Sequence, residues 1–313
     1  MEKEIIKIDN PNQIIYVYWV LSDFCNQHCS YCPKELHSGN FHSQGYPFKK
    51  DIDSLLDKLI DTSKQKNKKI HMSIAGGEPT LHPELPYILD RLKPHSFIEV
   101  ITNGTRNVTW WETIKSLPDK IIITLHPEYY NRKKTRIDEL SIFLFNNKID
   151  FQFNLMCHPN RWDTVMEILN DIPMAFRSRV SPKMLLDYEN PDTPLLYPYT
   201  EKQLNFVKHY QTIMKPTTEL PVKSIYSDGS VSLAIARKIV ASNEHYFQNW
   251  KCSAGVDSIS VQKDGTVRAG ICGSQQLGRM DNFKFLDEYI DCPRNNCACP
   301  ADIVLDKYNV NNL

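Results

Sequence analysis

Apolar and polar positions along the first two-thirds of the chain follow two periods, and the periods take turns. Apolar runs of strand length lie at residues 14–21, 69–74, 97–102, 121–125 and 151–156, with a weaker one around 176–180 or slightly later. Between them, apolar residues recur at helical spacing. These are Ile52, Leu55, Leu56, Leu59 and Ile60, then Leu85, Ile88, Leu89 and Leu92, then Trp110, Trp111, Ile114 and Leu117, and then residues 137–147 and 162–172. Short apolar runs bounded by turn residues predict strands, and i, i+3, i+4 recurrence predicts helices. The Trp110–Trp111 pair is expected in the core. Thr200 and Gln203 have the form of a capping box opening a further helix that ends near Met214. Strand and helix alternate six times, which predicts an α/β fold with helices packed on a parallel sheet.

The pattern changes after residues 216–221, a stretch with two prolines and two threonines. The expected division is 1–215 and 216–313. In the second part, Asp228-Gly229 and Asp264-Gly265 each sit between short β-type runs and predict hairpins. The second hairpin, over 258–271, is flanked by Cys252 and Cys272 and brings those two cysteines together.

Composition excludes several classes. No apolar run reaches the length of about 18 residues that a membrane helix needs, and the charged start, Met1-Glu2-Lys3-Glu4, does not resemble a signal peptide. The formal net charge is zero and no long basic block occurs, so a nucleic-acid partner is not favoured. Nine cysteines, an odd number clustered at short spacings, argue for metal ligands over disulfides. A reducing cytoplasm is the expected location.

The first cysteine group is Cys25, Cys29 and Cys32, at C-x3-C-x2-C spacing directly after the 14–21 run. A four-iron cube normally takes four thiolates. Three on one tight loop leave one iron open, and an open position marks a catalytic rather than a closed site. Zinc is the plainer alternative, with His28 inside the loop as a fourth ligand. The second motif is Ala75-Gly76-Gly77-Glu78-Pro79-Thr80, after the 69–74 strand. Glycines let backbone approach a ligand closely, and a carboxylate suits an ammonium group.

Together these two motifs resemble the radical S-adenosylmethionine (SAM) superfamily. The resemblance implies a partial (β/α)6 barrel, a [4Fe–4S] cluster on Cys25, Cys29 and Cys32, and SAM chelating the open iron. It also implies a 5′-deoxyadenosyl radical that abstracts hydrogen from substrate. Gly76, Gly77 and Glu78 would hold the SAM amino group, and Tyr31 would lie near the adenine. Thr124 on the fourth strand and Asn154 on the fifth match positions that touch SAM in the family, and Asn103 is a further candidate. For these three, capping of strand ends is the plainer role. Ligands of parallel α/β folds sit at the carboxyl ends of strands, where Cys25, Gly76, Asn103, His126 and Cys157 all fall. Cys157 is either a small core residue or a thiol hydrogen donor, as in radical SAM epimerases.

Cys252, Cys272, Cys292, Cys297 and Cys299 form the second group. Four thiolates on zinc would account for it. By the same resemblance it is a C-terminal extension of the twitch or SPASM type, a small hairpin-containing domain with an auxiliary [4Fe–4S] cluster. It has fewer cysteines than full SPASM and one more than twitch, so four of the five are expected to bind, with one of Cys297 and Cys299 spare. Asp302 is expected as a substrate base or a solvated turn residue.

The resemblance implies a small reductant protein, flavodoxin or ferredoxin, as electron donor. The substrate is expected to be a peptide, crosslinked or epimerised. A sugar or aminocyclitol, oxidised or epimerised, is the alternative. Only 24 residues precede Cys25, so a leader-binding module is not expected within this chain. An electron carrier or scaffold without SAM chemistry is the reading of a different class; the intact Gly-Gly-Glu-Pro loop argues against it.

Overall fold

The computed structural model describes residues 3–37, 47–131, 136–187, 195–214, 219–297 and 299–312. Most of the polar 34–50 stretch, expected as a surface loop with Gly39, His42 and Gly45, lies outside these residues, as does the start of the 216–221 boundary.

The chain runs β1 (Ile5–Asp9), β2 (Ile14–Val20), α1 (Lys49–Lys66), β3 (Lys69–Ala75), α2 (Leu85–Leu92), β4 (Ser96–Thr102) and α3 (Val108–Glu112). It continues through β5 (Lys120–Leu125), α4 (Ile137–Asn146), β6 (Asp150–Cys157), α5 (Trp162–Asp171) and β7 (Val180–Met184). A short pair, β8 (Leu186–Asp187) and β9 (Leu195–Leu196), precedes α6 (Glu201–Ile213). Then come β10 (Pro221–Tyr226), β11 (Val231–Ile235), α7 (Ala236–Ala241), β12 (Lys251–Cys252), β13 (Ser258–Val261), β14 (Thr266–Ala269), β15 (Gln276–Arg279), β16 (Ile290–Asp291), α8 (Pro300–Ile303) and β17 (Lys307–Tyr308).

Strands β2 to β7 lie side by side in chain order and pair in parallel. This is the expected six-stranded α/β barrel half. Period-two alternation sends Ile15, Val17 and Trp19, Ile70, Met72 and Ile74, and Phe151, Phe153 and Leu155 to the helix-covered side, where they form one core with the apolar stripes of α1 and α2. Burying each such Leu or Ile fully contributes about 1.5–3 kcal/mol. The opposite face carries Tyr16, Tyr18, Ser73, Glu99, Lys120, Gln152, Asn154 and Ser181, one residue out of step with the core set. On it Glu99 and Lys120 are cross-strand neighbours in a buried 2.8 Å ion pair, and Ser73 donates to Glu99 at 3.0 Å.

Three details depart from the pattern. The weak sixth strand falls at Val180–Met184, because 3₁₀ turns occupy Met174–Arg179. Helix α3 stops at Glu112, so Ile114 and Leu117 pack from the following segment, while Trp111 is buried with Trp110 edge-on at 4.9 Å. The third concerns the C-terminal part. Hairpin β13–β14 forms at Asp264-Gly265 as expected, but β13 pairs in parallel with β2, so β13, β14 and β15 extend the barrel sheet. Lys66 and Lys68 of the α1–β3 turn reach buried Asp257 at 3.4 and 2.8 Å and fasten this edge. A second, antiparallel sheet in the order β11-β10-β1-β17-β12-β16 has its own core. Both sheets therefore contain strands from each side of residue 216. The capping box on Thr200 and Gln203 is formed in both directions.

Candidate functional site

The loops that leave the carboxyl ends of β2 to β6 meet at one mouth of the barrel. The Cys25–Cys32 loop leaves β2, and none of its three cysteines is in a disulfide. It is fastened at three points.

The first is the glycine pair after β3. A Cβ on Gly77 would sit 2.2 Å from the carbonyl oxygen of Phe24 and 2.8 Å from that of Leu36, and one on Gly76, with φ at 136°, 2.5 Å from that of Ser22. Only glycine permits this approach. It lets Gly77 N donate to Ser22 O and Glu78 N to Phe24 O, both at 2.8 Å. The second point is Asn103, after β4. Its Nδ2 donates to Asn26 Oδ1 at 2.8 Å and points at Cys25 Sγ at 3.8 Å, while its Oδ1 accepts from Thr105. The third is Glu128, after β5, which accepts from Ser30 N at 2.7 Å and Ser30 Oγ at 2.6 Å.

Glu78 itself is turned inward. Its carboxylate is fully buried and accepts from Thr80 N, Thr80 Oγ1 and Thr102 Oγ1 on one oxygen and from Asn103 N on the other. Burial pushes this carboxyl above its usual range, and the donors from Asn103, Thr80 and Thr102 oppose the rise. In this arrangement all four donors to the Glu78 carboxylate come from the chain itself. The side chain is a strut between the β3 and β4 loops.

Tyr31 lies between two histidines. Its hydroxyl is 2.9 Å from His126 Nδ1, its ring stacks on His126, and His158 meets it edge-on at 5.8 Å. His158 Nε2 is 3.5 Å from Glu128. Burial pulls His126 down to about 4 and lowers His158 as well. His126 was expected only as a strand end, and the signal for both histidines is their position immediately after β5 and β6. Thr124 and Asn154 are register partners on the inner face, and Asn154 accepts from Gln152 at 2.8 Å. His28, the zinc alternative's fourth ligand, has its Nδ1 3.3 Å from His37 Nδ1. Among the described residues no group of three or more His, Cys, Asp or Glu converges at distances suited to a single ion.

Cys157 does not join the site. It ends β6 on the helix-covered face, is fully buried in the main core, and burial pushes its thiol up to about 12. The structure places this thiol among the packed core residues, the first of the two expected readings.

The second cysteine group gathers under the antiparallel sheet. Cys252 and Cys292 are buried in its core, and Cys297 packs against it. Asp302, far from being solvated, is 3% exposed and accepts from Ile271 N at 3.0 Å and Cys272 N at 2.7 Å, which fixes the Cys272 turn. Cys299 caps α8, its carbonyl accepting from Asp302 N and Ile303 N.

A parallel half-barrel with a three-cysteine loop and a Gly-Gly-Glu-Pro turn at its mouth defines a class, and comparison with known proteins gives the same one. The radical SAM superfamily profile matches residues 19–194, more than half of the chain. The chain belongs to the radical SAM superfamily. Among solved structures it is similar to histidine-tagged anSMEcpe with bound AdoMet, at 16% identity and a TM-score of 0.55, over 86% of this chain and 78% of that one. It is also similar to native anSMEcpe with bound AdoMet and Cp18Cys peptide, at 16% identity and a TM-score of 0.53, over 86% and 77%. Streptococcus suis SuiB bound to precursor peptide SuiA shares 13% identity with a TM-score of 0.53, over 88% of this chain and 65% of that one. At these identities the likeness is one of fold. No curated protein matches the chain.

Proposed function

We propose that the protein is an enzyme that cleaves SAM reductively and removes a hydrogen atom from a substrate C–H bond. One observation carries this reading: the three-cysteine loop is held at the barrel mouth by three attachments, from the loops after β3, β4 and β5. The donor set fits a four-iron cube. Three thiols share one loop, none is in a disulfide, and Cys157, the other cysteine of the barrel strands, faces the core. When bound, the cluster supplies the electron that splits SAM, and the resulting 5′-deoxyadenosyl radical takes the hydrogen.

The chain's own residues hold and orient. Cys25, Cys29 and Cys32 ligate, and Asn103 directs an amide N–H at the Cys25 sulfur, which tunes a cluster ligand. The half-buried backbone of Gly76 and Gly77 is the part of that motif a ligand ammonium reaches. Tyr31 with His126 presents an aromatic wall suited to adenine. Thr124 and Asn154 line the inner face. Cys252, Cys272, Cys292 and Cys297 hold the auxiliary cluster of a twitch-type region, because three of them share one core and Asp302 fixes the fourth; Cys299 is the spare. A flavodoxin or ferredoxin delivers electrons.

The substrate on this reading is a peptide. In support, a fold of this kind holds peptides in anSMEcpe and SuiB, as their structures are described. The polar inner face, with Glu99, Lys120 and Ser73, favours a second reading, a sugar or aminocyclitol. The test is anaerobic incubation of iron- and sulfide-reconstituted protein with SAM and dithionite. Release of 5′-deoxyadenosine supports SAM cleavage; its absence from fully loaded protein supports the electron-carrier reading. Substrates deuterated at the reacting carbon then separate peptide from sugar, since only the true one passes deuterium to 5′-deoxyadenosine.

A further inference from the structure

Lys307 is a lysine where the surroundings disfavour one. It sits on β17, is 1% exposed, and is among the largest fully buried side chains. Among the described residues no carboxylate lies within ion-pair distance of its ammonium. Its hydrogen bonds go to the carbonyls of Asp302, Ile303 and Leu305, at and beyond the end of α8, and the ring of Phe247 lies 5.5 Å away. Taking a charge out of water costs several kcal/mol unless an opposite charge offsets it. Three carbonyl dipoles offset part of that.

The position of the side chain shows where the rest can come from. Lys307 is the direct cross-strand partner of Cys252 in the antiparallel β12–β17 ladder. Directly opposed residues project to the same face of a sheet, with Cβ atoms roughly 4.5–5.5 Å apart. Cys252 shares its core with Cys292 and Cys297. Asp302, in α8, has its carboxylate bonded to the backbone of Ile271 and Cys272. A ligated iron–sulfur cube with four thiolates is a net anion, and it is the partner this cation lacks.

We propose that Lys307 is the built-in counter-cation of the C-terminal cysteine set, offsetting the charge of its thiolates and raising the reduction potential of the cluster they hold. Net charge and hydrogen bonding around the sulfurs are what set such potentials. The inference rests on the reading of that set as iron-binding. Lys307 acts through the ligands, as a positioning residue, and its second effect is to tie α8, which follows Cys299, to the strand that carries Cys252.

The test uses the full chain with Cys25, Cys29 and Cys32 replaced by alanine, so that only the auxiliary cluster assembles. Iron and sulfide are measured after anaerobic reconstitution, and the midpoint potential is read by an EPR-monitored redox titration. Three variants are compared: Lys307→Gln, which keeps a donor for the carbonyls; Lys307→Met, which fills the space without charge; and Lys307→Arg, which keeps the charge. The expected result is about a tenfold shift against the reduced cluster in both neutral variants, about 59 mV more negative for one electron. The arginine variant stays near the parent. Loss of iron from both neutral variants with retention in Lys307→Arg also supports the proposal. Full iron loading with an unchanged potential in Lys307→Gln overturns it and leaves the cluster reading standing. Failure of both neutral variants to fold without metal assigns Lys307 to holding the fold and overturns it too. A parent chain without iron overturns the cluster reading and this inference together.

Discussion

Replacing Gly77 with alanine isolates how the cysteine loop is held, because the backbone there needs no special φ. The added methyl would lie 2.2 Å from Phe24 O, 2.5 Å from Phe24 C and 2.8 Å from Leu36 O, all backbone atoms that cannot rotate away. The β3 loop and the cysteine loop must separate. Overpacking of this kind costs roughly 1–3 kcal/mol. The separation also strains two hydrogen bonds, Gly77 N to Ser22 O and Glu78 N to Phe24 O, both 2.8 Å, each contributing roughly 0.5–1.5 kcal/mol. A destabilisation of about 2–4 kcal/mol is expected, with weaker iron retention at Cys25, Cys29 and Cys32. Gly229→Ala is the control. It has φ at +78° and nothing within 4 Å of its Cβ, so only backbone strain of about 1–2 kcal/mol applies. Urea unfolding and iron content per chain are measured for both. A Gly77→Ala protein as stable as Gly229→Ala, with unchanged iron, would refute the close-approach argument.

Three further outcomes follow from the site. Cys297→Ser is expected to lose the auxiliary iron and Cys299→Ser to retain it; the reverse result in iron and sulfide analysis reassigns the spare thiol. Cys157→Ala is expected to lower stability by about 1–2 kcal/mol while leaving 5′-deoxyadenosine formation intact; a variant that cleaves SAM but gives a different product favours the hydrogen-donor role. His126 has its folded pKa depressed by burial to about 4, so its neutral form stabilises the fold fully above the unfolded value near 6.5. That contribution is lost as pH falls from about 6.5 to about 4, and His126→Asn is expected to flatten the stability profile across this window; an unchanged slope counts against it.

Much of this was legible in the residues. The strand and helix periods located five of the six barrel strands because each buries a clean apolar face. The sixth was bounded only loosely, because the 3₁₀ turns at Met174–Arg179 carry apolar residues of their own, and it falls at the later end of the expected range. The sequence alone puts the Cys25, Gly76 and Asn103 loops at one mouth, since in a parallel sheet strand ends share a side. What periodicity does not carry is side-chain direction. Nothing in Gly-Gly-Glu-Pro says that Glu78 turns inward to Thr80, Thr102 and Asn103, or that Asp302 is spent on Cys272. The pairing of β13 with β2 was equally hidden, because an edge pairing joins residues more than two hundred positions apart and a four-residue strand has no signature of its neighbour. Lys307 is hidden for the same reason: a lysine next to Asp306 looks solvated until its cross-strand partner is known.

The central claim is that the Cys25–Cys32 loop presents an iron with a vacant position to SAM. It is tested most directly by anaerobic 5′-deoxyadenosine release from reconstituted wild-type protein beside Cys25→Ala, with SAM and dithionite. Release from wild type and none from Cys25→Ala is the predicted result. Equal amounts from both, or none from wild type carrying its full complement of iron, would contradict it.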